Sequence, residues 1–455
     1  MPASGNEKRS WKSTRIVELL GIDYPIIQAP FGGFPSQQLT AAVSNLGGLG
    51  SLRAVTLGSS AITEAIEEIR SLTTKPFAIN LWVSTSDREA ARIESDIIQS
   101  KIRGLARYYA ELGIEPPSQV ESKPQDFEVQ VRAAVDARPA VLSFIYGIPP
   151  AEILDECRKH AIRTIGTATT PEEAVALEEA GFDSIVASGF EGGGHRGSFL
   201  RPAAHSLMGG LSLIPQVVDA VSVPVIAAGG IADGRGVVAA HALGAEAVQI
   251  GTAFVSCVGS GASAAYRSAL SSPAAKNTGL TEAFTGRLAR GVRSRLMDEL
   301  ADVNDPALPF PLQHALIQTV VGPASVREIP ELMTVWAGFP CCIGFPLVCT
   351  LSPIPRRNRK VHISLSSFTM AAFPGFWAGR LPHCVFRGLL SVHSRYGLHT
   401  CQVTYMTLYT GGFSRFVTST TAPIATGWSD LAGRDSHPLR NRAFARRTKY
   451  RTLRV

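Results

Sequence analysis

The stretch from Asp183 to Gly197, DSIVASGFEGGGHRG, combines a residue that can do chemistry with a backbone that can bring a ligand close to it. Ser184 to Ala187 form a short apolar run, typical of a strand that is buried on both faces. Gly192 to Gly194 have no Cβ, so the backbone there can lie against a planar ligand. His195 follows, and α/β proteins keep their chemistry at this end of a strand. The alternative is a flexible surface loop with a structural histidine.

The elements that would position this histidine alternate regularly along the chain. Short apolar segments predict strands, and segments with apolar residues at helical spacing predict helices. The predicted strands are 26–29, 48–52, 76–81, 140–144, 163–165, 184–187, 224–230 and 247–252, and the predicted helices include 37–45, 62–71, 151–160, 171–181 and 233–244. This alternation indicates an α/β fold, either a doubly wound sheet or a closed barrel, and eight repeats favour the (β/α)8 barrel.

Two helix starts carry recognisable capping patterns. Ser36 precedes the helix 37–45 and is expected to be its N-cap. Thr170, Pro171 and Glu173 supply an N-cap, a proline at the first helical position and a capping-box glutamate.

The predicted strands divide the chain into regions. Residues 1–21 are an N-terminal arm, and residues 22–255 are the barrel, interrupted by a helical insertion at about 87–135. Residues 256–338 are a helical cap, in which the basic stretch from Phe284 to Arg287 is a solvated feature or closes over the site.

Glycines at the ends of the last two barrel strands suggest a phosphate site. Gly229 and Gly230 end the seventh strand, and Gly251 and Thr252 end the eighth. In many such barrels the backbone N–H groups of these loops bind phosphate. The alternative is that these glycines only make tight turns.

Composition excludes several classes of protein. With 455 residues, 45% of them hydrophobic and 18% charged, the chain is globular, and no apolar run is long enough to span a bilayer. The N-terminus lacks the apolar segment of a secretory signal, so we expect an intracellular, cytoplasmic protein without a membrane partner. The cysteine spacing matches neither a disulfide framework nor a zinc site, so no metal is predicted.

The last 117 residues, 339–455, differ from the rest. They hold 16 Lys and Arg against 2 Asp and Glu, which gives this tail a net charge of +14 and leaves −7 for the remaining chain. Large apolar residues and five cysteines are mixed with the arginines, unlike a tail that binds nucleic acid. The composition suggests translation out of frame or through an unspliced intron, and we expect this tail to be disordered or loosely collapsed.

The motifs in this order resemble the nitronate monooxygenase family, formerly called 2-nitropropane dioxygenases, which are FMN-dependent TIM barrels. The matching segments are PIIQAPFGG, FAINLW, ASGFEGGGHRG, PVIAAGGIADGRGVVAAHALGAEAVQIGT and FTGRLARG. Phe31 stands where the family usually has methionine. The resemblance implies that His195 is the catalytic base and that one group of residues binds FMN: Ala29, Pro30, Phe31, Asn80, Ala187, Gly194, Ala228, Gly229, Gly230, Gln249, Gly251 and Thr252.

The family chemistry suits these residues. A nitroalkane has an acidic α C–H, and a neutral imidazole can take that proton near neutral pH. The resemblance implies that the nitronate is then oxidised with O2 to a carbonyl compound and nitrite, with the flavin carrying the redox step. Three alternatives remain: a fatty-acid type enoyl reductase, a tailoring oxidoreductase of secondary metabolism, and a product made inactive by its aberrant C-terminus.

Overall fold

The computed structural model describes residues 11–339 except 35, 85, 86, 88, 123 and 302–304. The described residues all belong to one of the chain's two units, Arg9–Val361, whereas the other unit, Met1–Lys8 with His362–Val455, lies outside them. The expectations for the basic tail beyond Phe339 therefore fall outside the part of the chain that the structure describes.

Eight strands form a parallel barrel, as the sequence predicted. The sheet order is β1-β9-β8-β6-β5-β4-β3-β2, and a bridge between Ile27 and Leu49 brings the two edges together. The strands in chain order are β1 (Ile26–Gln28), β2 (Gly50–Arg53), β3 (Phe77–Trp82), β4 (Val141–Ile145), β5 (Arg163–Ala168), β6 (Ser184–Ser188), β7 (Gly194–His195), β8 (Val225–Ala228), β9 (Ala247–Ile250), β10 (Thr278–Thr281) and β11 (Ala289–Val292).

Helices lie between the barrel strands and continue beyond them. They are α1 (Arg15–Leu20), α2 (Gln37–Asn45), α3 (Ser59–Leu72), α4 (Ser95–Gly104), α5 (Ala106–Leu112), α6 (Phe127–Asp136), α7 (Ala151–Lys159), α8 (Pro171–Glu179), α9 (Gly210–Ala220), α10 (Gly234–Ala242), α11 (Thr252–Val255), α12 (Ala264–Ser271), α13 (Arg295–Glu299) and α14 (Leu312–Val326). None of these helices is long and apolar enough to cross a membrane.

Alternate positions along the barrel strands pack on two different sides. Ile79 and Ile185 belong to the large apolar cluster that includes the surrounding helices. Their neighbours Ala78 and Val186 belong to a smaller cluster inside the barrel, together with Ile16 from α1. Successive side chains of a strand point to opposite faces, which explains this division. The predicted N-terminal arm thus supplies a helix that fills the interior of the barrel near the amino ends of the strands.

The insertion is shorter than the predicted range 87–135. Helices α4 and α5 pack on α14, where Tyr108 and Tyr109 are buried with Leu316 and Ile317 in a separate apolar cluster. Helix α6 instead contacts α3, β3 and α7, so it is the barrel's own helix between β3 and β4. Sequence reasoning merged it with the insertion because α6 follows a loop rather than a strand.

The region after the barrel is not entirely helical, which corrects the prediction of a helical cap over 256–338. Strands β10 and β11 pair antiparallel, with Thr278 opposite Val292, and β11 also pairs with β7. These strands have only four residues and contain Gly279 and Gly291, so they lack the apolar alternation that predicts a strand. Their small sheet matters for function because it contains His195.

The capping hydrogen bonds expected at Ser36 and at Thr170 are formed only in part. The Ser36 side chain makes no capping hydrogen bond to α2. Thr170 Oγ1 does accept a bond from Glu173 N at 3.3 Å, as predicted. The Glu173 carboxylate, however, is completely buried and accepts bonds from Thr169 N at 2.7 Å and from Phe199 N at 2.7 Å. It therefore ties the start of α8 to the loop after His195 instead of closing a capping box.

We expect Glu173→Ala to lower the free energy of unfolding by about 2–4 kcal/mol, because it leaves several buried donors without an acceptor. The measurement is the thermal unfolding midpoint. Glu172→Ala is the matched control, since the Glu172 side chain is 57% exposed and forms an ion pair with the exposed Arg201. Its expected effect is below about 1 kcal/mol. Equal midpoints for the two variants would contradict a structural role for the Glu173 carboxylate.

Candidate active site

A cavity of about 1100 Å³ opens at the carboxyl ends of the barrel strands. Its lining includes polar side chains from the middle or the end of four barrel strands, namely Asn80, Ser143, Ser188 and Gln249. This end of a (β/α)8 barrel is where enzymes with this fold build their active sites. The cavity is therefore the candidate active site.

All but one of the residues predicted from the sequence line this cavity. Those brought together are Ala29, Pro30, Phe31, Asn80, Gly194, His195, Ala228, Gly229, Gly230, Gln249, Gly251 and Thr252. Ala187 is the exception: it is fully buried in the cluster between the barrel and its helices. Its neighbours Val186 and Ser188 line the cavity instead. The Ala187 side chain therefore faces away from the cavity, because one position along a strand reverses the face.

The glycines that end β8 and β9 suit an oxyanion. Gly229 and Gly230 have φ angles of +106° and +70°, which favour glycine. A Cβ on Gly229 would lie 3.0 Å from the Gly189 carbonyl oxygen. Among the described residues, the backbone N–H groups of Gly229, Gly230 and Gly251 have no hydrogen-bond acceptor. Successive free N–H groups beside an open cavity match a phosphate group.

His195 is fixed in one tautomer by its neighbours. Its Nε2 lies 3.0 Å from Thr285 Oγ1, and that hydroxyl donates to the carbonyl oxygen of Arg287 at 3.1 Å. Because the hydroxyl proton is used there, Thr285 Oγ1 accepts the bond and His195 Nε2 carries the hydrogen. The lone pair of the ring is then on Nδ1, which is the atom that can accept a proton.

The surroundings of His195 keep the imidazole neutral. Burial, followed by the charges of Arg287 and Arg53, lowers the pKa of His195 to about 3. Trp82 packs edge-on at 5.1 Å between ring centroids, and Trp336 lies on another side at 5.5 Å. At neutral pH this histidine is therefore a base and not an acid.

Arg287 belongs to the stretch from Phe284 to Arg287. The sequence allowed two interpretations of this stretch: a solvated feature, or a segment that closes over the site. The guanidinium of Arg287 pairs with Asp87 at 2.8 Å and lies over the rings of Tyr146 and Phe310 at 4.5 and 4.4 Å. The side chain is only 10% exposed, and Thr285 of the same stretch lines the cavity.

The last described residues lie against the glycine-rich loop. Gly338 N donates to Thr252 Oγ1 at 3.0 Å, and Phe339 N donates to Glu191 O at 2.8 Å. A Cβ on Gly193 would lie 2.5 Å from the Ala337 carbonyl carbon. Gly193 is thus required by the chain's own backbone and not by a ligand, which the sequence did not reveal.

Sequence reasoning also missed two basic side chains in the cavity wall, Arg53 and His314. Burial lowers the pKa of Arg53 to about 10 and also lowers the pKa of His314. Arg53 directly follows the predicted strand 48–52, so its position at a strand end was the available signal. His314 lies on α14, far along the chain, and no local pattern marked it. Within the described residues, no cluster of three His, Cys, Asp or Glu could hold a metal ion.

Comparison with known proteins adds to this geometry. The family model described as nitronate monooxygenase matches residues 13–342. A probable nitronate monooxygenase of Staphylococcus aureus (strain Newman) is 38% identical over 329 residues, which cover 72% of this chain and 92% of that protein. The crystal structure of a nitroalkane oxidase from Streptomyces ansochromogenes has a TM-score of 0.65 and 34% identity, covering 71% of this chain and 91% of that one. FabK from Thermotoga maritima has a TM-score of 0.56 and 27% identity, covering 72% and 89%.

We expect the imidazole of His195 to stay neutral from pH 7 down to about pH 4, because its pKa is lowered to about 3. An unfolded histidine takes up its proton near pH 6.5, so this residue's contribution to stability falls as the pH drops from about 6.5 towards 3. Nitrogen-15 NMR of the ring, assigned by the signal lost in His195→Asn, should show protonated Nε2 and bare Nδ1. A titration midpoint near 6.5 would contradict this environment.

Proposed function

We propose, from the premise that this chain belongs to the nitronate monooxygenase family, that it oxidises alkyl nitronates, and nitroalkanes after their deprotonation, to carbonyl compounds and nitrite with O2. Membership makes the chain an oxidoreductase of nitro compounds. The observation that carries the finer proposal is the neutral His195 imidazole at a glycine-lined cavity in the barrel mouth.

FMN is the cofactor that we propose, and the residues present fit it. The free backbone N–H groups of Gly229, Gly230 and Gly251 would hold its phosphate. Thr252 Oγ1 accepts a bond from Gly338 and keeps its own hydrogen for a phosphate oxygen. Ala29 to Phe31 and Asn80 would lie along the ring system. When bound, the flavin supplies the electron transfer that no side chain can supply.

The role that we propose for His195 is removal of the α proton of a neutral nitroalkane at Nδ1. The bond from Nε2 to Thr285 holds the ring in the tautomer with a free Nδ1 lone pair. A low pKa makes a weak base in the ligand-free cavity, but the reaction creates a negative nitronate beside the new imidazolium. An opposite charge nearby raises the pKa of an imidazole, so the product pair supports the transfer.

The aromatic side chains around His195 also have a role in this proposal. Trp82, Phe310 and Trp336 pack around the imidazole and would limit its contact with bulk water. In such a site, fixed charges and dipoles act more strongly than in water. The carbanion-like nitronate would therefore be held by protein groups instead of solvent.

The enoyl reductase alternative has weaker support. The likeness to FabK from Thermotoga maritima is lower in both TM-score and identity than the likeness to the Streptomyces nitroalkane oxidase. Consumption of NADPH with an enoyl thioester, and no turnover of nitronates, would favour this alternative. A tailoring oxidoreductase would accept neither substrate, and an inactive product would also lack a flavin.

We expect Gly251→Arg to abolish flavin retention. A Cβ at Gly251 meets only Ala29 Cβ, at 3.5 Å, so the added side chain extends into the cavity without disturbing the backbone. Gly259→Arg is the matched control, because Gly259 is exposed and a Cβ there has open space. The measurement is flavin absorbance after gel filtration, followed by identification of the flavin released on denaturation. FAD in place of FMN, or a yellow Gly251→Arg protein, would contradict the cofactor site.

We expect His195→Asn to slow neutral nitroalkane turnover by about two to four orders of magnitude, the usual loss on removal of a general base. Turnover of preformed nitronate should fall much less, because its proton is already gone. Steady-state kinetics on both substrates make the comparison, and His205→Asn, at an exposed histidine, is the control. Equal losses on both substrates would mean that His195 positions the substrate and does not deprotonate it.

A further inference from the structure

Arg53 differs from the other arginines around the cavity. It is the last residue of β2, in register with Asn80 of β3, and it lines the cavity. Its Nε is buried, and no atom of the described residues accepts a hydrogen bond from its guanidinium. Arg287 pairs with Asp87, and Arg196 donates to the carbonyl oxygens of Ser188 and Gly189. Arg53 is partly buried, and its buried Nε has no acceptor among the described residues, so an anion that binds this guanidinium would stabilise it.

The guanidinium of Arg53 is held in a defined position by the loop after β1. A Cβ on Gly32 would lie 1.7 Å from Arg53 Nε and 2.3 Å from Cζ. The planar head of the arginine therefore lies directly against the backbone of Gly32, and a side chain at this position would displace the guanidinium. This contact involves the first of the two glycines in the motif PIIQAPFGG. It also preorganises the guanidinium, so that little side-chain entropy is lost when an anion binds.

No carboxylate compensates the charge of Arg53 within the described residues. The ionisable groups that interact with it are His195 and His314, both of which have a lowered pKa and are neutral. Glu121 also lines the cavity, but its side chain is exposed, and burial alone accounts for the lowered pKa of Arg53. The cavity thus presents one uncompensated cation near a neutral base.

We propose that Arg53 binds the two oxygens of the substrate's nitro group and is the residue that selects a nitronate anion. This inference rests on the proposed function. A nitronate is planar and carries its charge on two oxygens, and the fork of a guanidinium matches such a pair with two parallel hydrogen bonds.

The same contact assigns a role during deprotonation of a neutral nitroalkane. The α C–H bond breaks, its proton passes to His195 Nδ1, and the electron pair of that bond moves onto the nitro oxygens. Arg53 stabilises the charge where it develops, as oxyanion-hole donors do. His195 accepts the proton, and Arg53 stabilises the negative charge that develops on the nitro oxygens. The two groups therefore contribute to different parts of one step.

Nitrate is the probe that tests this site, because it is a planar oxyanion without an α proton. We expect Arg53→Gln to keep its flavin but to weaken nitrate binding by about 10- to 100-fold, the loss of a charge-assisted pair of hydrogen bonds. Nitrate binding is measured by the flavin absorbance change and by protection against thermal unfolding, with chloride at equal ionic strength as the reference. Arg53→Lys keeps the charge without the fork and should recover part of the affinity. Arg132→Gln, at an exposed arginine of α6, is the control variant.

Kinetics separate substrate binding from other roles of Arg53. The Gln variant should raise KM for a preformed nitronate and lower kcat/KM for a neutral nitroalkane by about two to three orders of magnitude. Unchanged nitrate affinity and nitronate KM would overturn the proposal. Loss of flavin from the Gln and Lys variants would assign Arg53 to the cofactor and also overturn it. If the wild type binds nitrate through Arg53 but does not turn over nitronates, the proposed function fails and the anion site stands.

Discussion

The pairing of β7 with β11 is the interaction on which the active site depends. It places His195 opposite Ala289 and joins a loop of the barrel to a hairpin nearly a hundred residues later in the chain. Neither partner is stable alone, since β7 has two residues and β11 has four. His195 is therefore positioned only when the barrel and the later hairpin have both folded. This pairing fixes the position of a histidine that lies in a loop of the barrel.

The pairing also brings in the groups that set the electrostatics of the cavity. The turn before β11 supplies Thr285, which fixes the tautomer of His195, and Arg287, which helps to keep the imidazole neutral. Asp87, from the segment after β3, neutralises Arg287. The charge of Arg53 has no such counter-ion among the described residues. The cavity therefore places a neutral imidazole near an arginine that has no ion-pair partner among the described residues.

The barrel could be predicted from the sequence because its signals are local. Each strand is a short apolar run and each helix has its own periodicity, so the α2 bounds Gln37–Asn45 agreed with prediction. Residues of the cavity that follow a strand, such as Gly229 and Gly251, could be predicted for the same reason. The face on which Ala187 packs could not be predicted, because a strand reverses its face at every residue and the sequence does not say which face points inward in a strand buried on both sides.

Contacts between distant segments of the chain could not be predicted from the sequence. The three glycines before His195 look equivalent in the sequence, yet they have different surroundings in the structure. Gly192 approaches the Gly189 carbonyl, and Gly193 makes room for the backbone of Ala337 and Gly338. Gly338 in turn bonds to the hydroxyl of Thr252, at the end of β9. The segment from Trp336 to Phe339 therefore belongs to the active site as much as the barrel loops do. The functional unit of the chain extends at least to the point where the composition of the sequence changes.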